Sequence, residues 1–215
     1  MPDRSYRGLF WGLTLGGALV DQISKYGVFQ WLYPVNPRVP EVKFPLVEGV
    51  FEVVTQFTGA PETGGGPLGV LRRLGGDTLP KVNPGACFGW AFTLPPETSN
   101  LLFALVSIVA AAAIVFWALR PAVRHDRGLL TALGLILAGT LGNLYDRVVF
   151  GGVRDFLHLH YYDAFDWPVF NVADSCLVCG AMLLLLQAIL GQSLPADQQT
   201  PPGSDASRKE MAQVP

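Results

Sequence analysis

The sequence predicts a mainly α-helical membrane protein, with four transmembrane helices and a small β-structured platform outside the membrane. Half of the 215 residues are hydrophobic and only 15% are charged, whereas soluble domains carry about 25% charged residues. Four stretches are long and apolar enough to cross a bilayer, which takes about 20 residues. The net charge of −2 excludes the basic surface that nucleic acid requires, so we expect no nucleic-acid partner.

The four predicted spans cover about residues 8–33, 100–119, 128–150 and 169–190. The alternative for each is a buried helix of a soluble protein, but four such helices in a chain of this length favour a membrane protein. The first stretch also has the basic start of a signal peptide. It lacks a small-x-small cleavage motif, so we interpret it as a retained span.

Charge in the loops predicts the orientation. The link between the second and third spans, RPAVRHDRG, contains three arginines and one acid, and short basic loops stay in the cytoplasm. We therefore expect both termini in the cytoplasm, and residues 34–98 and 151–168 outside.

The first outer segment predicts the platform. Residues 47–58 are rich in Val, Phe and Thr, which is typical of one or two strands, and CFGWAF predicts another. Residues 59–81 are rich in Gly and Pro and predict a flexible insertion. We expect Trp31, Tyr33 and Trp90 at the lipid headgroups.

We expect residues 1–192 to form one domain, monomeric and surrounded by membrane lipids. Residues 193–215 are polar and rich in proline, a composition that cannot bury enough apolar surface to fold. They predict a disordered cytoplasmic tail.

Polar side chains in the predicted spans all fall near the outer surface. Each ionisable group costs about 2.5–3.5 kcal/mol at the centre of a span, less near its ends, so such groups indicate function. They are Asp21 and Lys25 in the first span, Asn143, Asp146 and Arg147 in the third, Asn171 and Asp174 in the fourth, and Asp155 just after the third. Their common depth indicates one assembled site.

Spacing supports this convergence. Asp21 and Lys25 are four residues apart and share a helix face, as do Asn143 and Arg147. Gly139, one turn earlier, would allow close approach of another helix. Ion pairs that only lock the helices together, including Asp146 with its neighbour Arg147, are an equal alternative.

Two carboxylates that share a proton can supply both the base and the acid for attack of water on an amide. The candidates are Asp21, Asp146, Asp155 and Asp174. Asp21 has Lys25 one helical turn away and Asp146 has Arg147 beside it, so both are expected to be held ionised. Asp155 and Asp174 have no obvious partner within a helix, although Arg154 adjoins Asp155, and they are the better pair on this reasoning. The spacing alone leaves the choice open.

Other reactive residue types predict no site. Cys176 and Cys179 form C-x-x-C inside a span without a second pair, which is typical of small buried residues. His158 and His160 form an isolated H-x-H, which is too little to predict a metal. We expect neither a metal nor an organic cofactor.

Four sequence blocks together resemble the lipoprotein signal peptidases, also called type II signal peptidases. They are DQISK (21–25), NPGACFG (83–89), GTLGNLYDRVVFGGVRDF (139–156) and FNVADSC (170–176). The insertion at 59–81 is longer than usual for the family, and Pro84 and Cys87 replace small or hydroxyl residues.

The resemblance implies a four-span aspartyl endopeptidase of the bacterial plasma membrane, with its site near the outer leaflet. It implies that Asp155 and Asp174 are catalytic and that Asn143, Arg147 and Asn171 support them. Four further residues also match positions of the family's motifs: Asp21, Lys25, Asn83 and Gly85. The implied substrates are prolipoproteins that carry diacylglycerol on the cysteine that becomes the new N-terminus.

Two other classes of function are open to the same residues. A small transporter or channel would use the clustered charges as an ion or proton relay, but it would need polar residues through the full depth of the bilayer. A structural membrane adaptor leaves the carboxylates at one depth unexplained.

Overall fold

The computed structural model of the protein describes residues 5–34, 41–61, 68–72, 74, 76, 78–85, 94–162 and 164–192. Five α-helices and five strands lie within these ranges. They are α1 (Arg7–Trp31), β1 (Glu41–Val47), β2 (Phe51–Pro61), α2 (Gly69–Arg72), β3 (Thr78–Pro80), α3 (Pro96–Ala118), α4 (Arg127–Phe150), β4 (Leu157–Tyr161), β5 (Phe165–Asp166) and α5 (Val172–Gln192).

Helix α4 is the centre of the helical layer and packs against α1, α3 and α5. In its most apolar window 56% of the residues are buried, against 6% in α3 and 11% in α5. The outer helices therefore present leucine, valine and isoleucine to their surroundings. Apolar surface on this scale is typical of contact with lipid.

Three helices, α3, α4 and α5, are long and apolar enough to cross a membrane. Helix α1 has 25 residues, but it carries Asp21 and Lys25 and falls outside that apolar group. The prediction of a mainly helical membrane protein with a small sheet is confirmed. The fourth span stays a prediction.

The strands form one antiparallel sheet in the order β1-β2-β4-β5, with β3 on the far end of β2. Strand β2 contains most of residues 47–58, for which the sequence predicts one or two strands. The turn between β1 and β2 contains Gly49 at φ 71°, a left-handed conformation that glycine adopts without strain. Strand β1 (EVKFPLV) escaped prediction because it includes a proline and is largely exposed.

The described part of the Gly- and Pro-rich segment forms secondary structure, while its flexibility stays a prediction. Strand β2 continues to Pro61, and α2 and β3 follow. Leu74 is fully buried in a cluster with Phe29 and Phe57, so an apolar anchor ties the segment to the core. The strand predicted at CFGWAF, Trp90, Cys87 and the tail 193–215 lie outside the described residues.

The sheet is fixed to one end of the helical layer by the same apolar cluster, which also contains Leu32 from the end of α1, Val53 and Phe156. Tyr33 packs there against Phe57, and its hydroxyl accepts a hydrogen bond from the Thr78 N–H at 2.9 Å. Tyr33 therefore contributes to the core. Trp31 is exposed, and the position of both residues at the lipid headgroups stays a prediction.

Candidate active site

Helix α5 begins with a pair of reciprocal hydrogen bonds. The Asp174 N–H donates to the Asn171 side-chain oxygen at 3.0 Å, and the Asn171 N–H donates to Asp174 Oδ2 at 3.1 Å. This is the geometry of a capping box, with an acid three residues after the capping residue. The cap fixes the Asp174 carboxylate at the positive end of the helix, which favours negative charge.

The segment after α4 delivers the second carboxylate. Gly151 ends the helix in a left-handed conformation at φ 78°, which glycine allows at little cost. The chain then runs extended between two bridges, one joining Val153 to Asn83 and the other joining Leu157 to Phe170. Asp155 lies between these bridges, beside the start of α5.

Amide side chains bind both carboxylates. Asn171 Nδ2 donates to Asp155 Oδ1 at 2.7 Å, and Asn83 Nδ2 donates to Asp155 Oδ2 at 3.2 Å. Asn143 Nδ2 donates to Asp174 Oδ1 at 2.8 Å. Asn171 therefore contacts both carboxylates and holds them side by side.

The orientation of Asn143 is set from the opposite side. Its Oδ1 accepts hydrogen bonds from Lys25 Nζ at 3.0 Å and from Asn171 Nδ2 at 3.2 Å. With its oxygen occupied by these donors, its NH₂ group must face Asp174. Lys25 thus acts on the carboxylate pair through Asn143.

Burial and the neighbouring Asp174 charge raise the pKa of Asp155 to about 7. The hydrogen bonds from Asn83 and Asn171 oppose this shift but do not cancel it. Asp155 can therefore carry a proton near neutral pH, where an exposed carboxyl group would be ionised.

A second cluster lies behind the first, and its charged side chains are completely buried. Lys25 Nζ is 2.9 Å from Asp21 and 3.4 Å from Asp146, and these three side chains are 0% exposed. Gln22 joins them, because its Nε2 donates to Asp21 at 2.9 Å and its Oε1 accepts from Arg154 at 3.0 Å. We call these five residues the ionic cluster.

Besides Lys25, the cation that pairs with Asp146 is Arg154, so the alternative of an Asp146–Arg147 ion pair is wrong. Arg154 Nη2 lies 2.8 Å from Asp146 Oδ1, and its backbone N–H donates to Oδ2 at 2.9 Å. Adjacent residues on a helix point in different directions, whereas the turn after Gly151 brings Arg154 back over α4. The Arg154 guanidinium lies against the Phe150 and Tyr26 rings, at 3.9 and 4.3 Å from their centroids.

Arg147 faces the other way, into the cleft. Its Nη2 donates to the Gly85 carbonyl at 3.4 Å, and its guanidinium lies over Phe103. The Gly85 N–H in turn donates to Asn83 Oδ1 at 3.0 Å. Arg147 therefore helps to hold the strand-side segment that carries Asn83.

Two glycines of α4 allow its neighbours to approach. A Cβ at Gly139 would collide with the Ala173 carbonyl and Leu177 of α5, which accounts for the small residue expected there. A Cβ at Gly142 would lie 2.6 Å from the Asp21 carboxylate and 3.1 Å from Ala173. The Ala173 N–H donates to Asp21 at 2.8 Å, so α1, α4 and α5 meet at this point.

The carboxylate pair opens into a cleft of about 360 Å³ between α3, α4 and α5. Asp155, Asp174, Asn143 and Arg147 line its polar end, and Val106, Ala110 and Leu177 are among the apolar residues that line the rest. A second cleft of about 480 Å³ lies towards the sheet, and it shares Asn83, Val153 and Asp155 with the first. An extended chain that passes from one cleft to the other would cross Asp155.

Comparison with known proteins identifies the family. Residues 78–190 match the family described as Signal peptidase (SPase) II. The lipoprotein signal peptidase of Rhodopirellula baltica is 33% identical over 219 residues, covering 95% of this chain and 83% of that protein. The chain belongs to the signal peptidase II family.

Other similarities agree with this assignment. The lipoprotein signal peptidase of Pseudomonas syringae pv. tomato is 49% identical over 85 residues, which cover 40% of this chain and 49% of that protein. A solved bacterial membrane enzyme has a TM-score of 0.67 at 20% identity, covering 93% of this chain and 99% of that one. At that identity the second likeness concerns the fold alone.

In this member of the signal peptidase II family, the structure brings together the candidate site residues that the sequence predicted. The predicted set divides into two clusters, joined by the hydrogen bond between Lys25 and Asn143. Sequence reasoning missed Gln22, Gly142 and the role of Arg154. A signal existed for Gln22, which lies inside the DQISK block, but none for Arg154, whose contact with Asp146 depends on the turn at Gly151.

The cysteines differ in part from expectation. Cys176 is half-buried, while Cys179 is exposed on the outer side of α5. The expectation of two buried residues is therefore wrong for Cys179, because α5 presents most of its surface outwards. Neither thiol lines the cleft at the carboxylate pair.

Proposed function

We propose that Asp155 and Asp174 are the catalytic pair with which this signal peptidase II cleaves signal peptides from prolipoproteins. One observation carries the assignment. These two carboxylates meet at the polar end of a largely apolar cleft and are bound by amide groups, whereas Asp21 and Asp146 are buried against cations. Carboxylates without a bound cation can exchange protons during a reaction.

In the proposed reaction Asp155 carries the shared proton and Asp174 is ionised. A water molecule between them loses a proton to Asp174 as its oxygen attacks the scissile carbonyl carbon. Asp155 donates its proton to the carbonyl oxygen and so stabilises the tetrahedral intermediate. When the C–N bond breaks, the proton held by Asp174 passes to the leaving amine, and the diol proton returns to Asp155.

The proposed substrates carry diacylglycerol on the cysteine that follows the cleaved bond. The apolar walls of the cleft support this choice, because Val106 and Ala110 belong to α3, whose outward surface is apolar. Acyl chains can therefore stay among lipids while the peptide bond reaches the carboxylates. The second cleft, towards the sheet, offers space for the chain on the other side of that bond.

We also propose that α1 is the fourth span, with both termini in the cytoplasm and the site near the outer leaflet of the plasma membrane. With 25 residues, α1 is about 37 Å long at about 1.5 Å per residue. Asp21 and Lys25 are completely buried against α4 and α5, so lipid would not contact their charges. The basic loop between α3 and α4 lies at the end of α4 opposite the site. Because short basic loops stay in the cytoplasm, the site would then lie on the outer side.

A transporter or channel is the less favoured alternative. In the part of α1, α4 and α5 that the structure describes, the polar contacts of both clusters concentrate at the end next to the sheet. A transport pathway needs such groups along its whole length. We propose a monomer, since the clefts and both carboxylates belong to one chain.

The test uses the purified full chain in nanodiscs and a diacylglyceryl-modified prolipoprotein, followed by gel shift. Asp155→Asn and Asp174→Asn should abolish cleavage. Glu97→Gln, an equally conservative change at an exposed acid of α3, should leave it unchanged. Cleavage by both aspartate variants at near wild-type rates would remove the catalytic assignment, and an intact substrate with the wild type would favour the transporter.

A further inference from the structure

A group of metal-binding side chains lies on the sheet, away from the carboxylate pair. In the register of the sheet, Glu52 of β2 is opposite His158 of β4, and His160 of β4 is opposite Asp166 of β5. His158 and His160 are two residues apart and therefore project from the same face. Leu157, the alternate neighbour, packs towards the apolar core, so the histidines face away from it.

The contacts within this group are short. His158 Nδ1 is 2.8 Å from Glu52 Oε1, and His158 Nε2 is 2.6 Å from Asp166 Oδ1. The two imidazole rings stack with their centroids 5.0 Å apart. Each of these side chains offers one metal-ligand atom, and the three atoms, from Glu52, His158 and His160, lie within 4.8 Å of one another.

We propose that Glu52, His158 and His160 form a binding site for a divalent transition metal, of which Zn²⁺ fits the ligand set best. Imidazole nitrogen and carboxylate oxygen are both common zinc ligands, and three protein ligands leave a fourth position for water. His158 would bind the metal through Nδ1 while Asp166 keeps its contact with Nε2. A carboxylate in this position orients a metal-bound histidine.

A neighbouring cation competes with a metal for Glu52. Lys43 Nζ lies 3.3 Å from Glu52 and 3.2 Å from Glu41. Metal binding must therefore displace Lys43 from Glu52.

A metal here would join β2 directly to β4, with β5 held through Asp166. Strand β4 begins two residues after Asp155, and the Val54 N–H of β2 donates to the Phe156 carbonyl at 2.9 Å. The proposed metal would therefore stiffen the part of the sheet next to the segment that contains Asp155. It would contact neither Asp155 nor Asp174.

The test measures Zn²⁺ binding to the full chain, purified without a polyhistidine tag, in nanodiscs of zwitterionic lipid. The chain has three histidines, so His125→Ala is the matched control for His158→Ala and His160→Ala. We expect the wild type to bind one zinc per chain. His158→Ala and His160→Ala should each lower the zinc affinity by about tenfold or more, which is the scale known for changes around metal sites. His125→Ala should leave the zinc affinity unchanged.

Two further readouts guard against misfolding. Prolipoprotein cleavage by His160→Ala should persist, which shows that the variant is folded. Zinc should slow amide hydrogen exchange in residues 157–161 of the wild type but not of His160→Ala. The proposal is overturned if the wild type binds no zinc, or if folded His158→Ala and His160→Ala bind it as tightly as His125→Ala does.

Discussion

The carboxylates of this peptidase lie in two neighbouring clusters with opposite chemistry. In the ionic cluster Asp21 and Asp146 contact Lys25 and Arg154, and all four side chains are fully buried. In the proposed catalytic cluster Asp155 and Asp174 contact Asn83, Asn143 and Asn171, and they line a cleft. A single hydrogen bond, from Lys25 to Asn143, joins the two.

The difference gives the two pairs of carboxylates different expected chemistry. A buried cation favours the charged form of a carboxylate beside it, because protonation would leave the cation unpaired. A carboxylate that accepts hydrogen bonds only from neutral amides has no such partner to lose. We therefore expect the proposed catalytic cluster to change protonation during a reaction, while the ionic cluster holds the helices in place.

The largest effect should come from the catalytic cluster. Asp155→Asn and Asp174→Asn each remove one participant in proton transfer, and we expect kcat to fall by about 10³- to 10⁴-fold. Because each substitution leaves the cleft lining in place, substrate affinity should change little. Steady-state kinetics with lipidated substrate measure both quantities, and a loss confined to KM would contradict the proposed role.

The ionic cluster should instead respond through stability. Asp146→Asn leaves Arg154 buried without its carboxylate, and breaking a buried pair from one side costs about 3–5 kcal/mol. Unfolding in detergent, monitored by circular dichroism, measures this cost. The double variant Asp146→Asn/Arg154→Met should recover much of it, since the uncompensated charge is then absent. Equal destabilisation of the single and double variants would show that the pair is not the cause.

The pH dependence should separate the clusters further. The pKa of Asp155 is raised from its ordinary value to about 7, so the folded protein binds more protons than the unfolded chain between about pH 4 and 7. Its stability should fall as the pH rises through that interval. Cleavage should fall above about pH 7 as the shared proton is lost, by about tenfold per pH unit at the limit.

Asp155→Asn is the control for this interpretation. The variant should lose the decline in stability between about pH 4 and 7, because asparagine does not titrate in this range. A wild-type pH–rate profile that stays flat to pH 9 would argue against a proton held by the pair.

Arg147 should give the smallest effect, because it lies at the edge of the catalytic cluster. Its Nε is buried and without a hydrogen-bond partner among the described residues, so it can donate to a substrate carbonyl. Arg147→Lys keeps the charge but loses the planar set of donors. We expect about a tenfold rise in KM with kcat nearly unchanged, and an unchanged KM would exclude contact with the substrate.

The sequence predicted which residues meet better than it predicted how they pair. Helical spacing was enough to place Asp21 with Lys25, because four residues make one helical turn. The pairing of Asp146 could not be read in this way, since Arg154 reaches it only after the chain reverses at Gly151. The hydrogen bonds of Asn83 and Asn171 to Asp155 depend on two isolated bridges between distant segments, which leave no periodic pattern.

The sheet shows a similar limit. Strand β2 was predicted because its residues are β-branched and aromatic, while the short strands β3 and β5 have three and two residues and are defined by their neighbours. The Gly-rich composition of residues 59–81 hid Leu74, whose burial could not be inferred from a single apolar residue among glycines.

The two proposed catalytic carboxylates are held by different backbone segments. Asp174 is fixed by the first turn of α5, whereas Asp155 lies in the extended segment between the Val153–Asn83 and Leu157–Phe170 bridges. The Phe170 carbonyl accepts hydrogen bonds from the Phe156 and Leu157 N–H groups at 3.0 and 2.8 Å, so this segment is also tied to the residue before Asn171. The Asn171 hydrogen bond to Asp155, 2.7 Å long, adds a side-chain contact between the two segments. A relative shift of about 1 Å between them would break that bond, since such bonds fail beyond about 3.5 Å. A compound that separated the two segments would inhibit the enzyme without contacting either carboxylate.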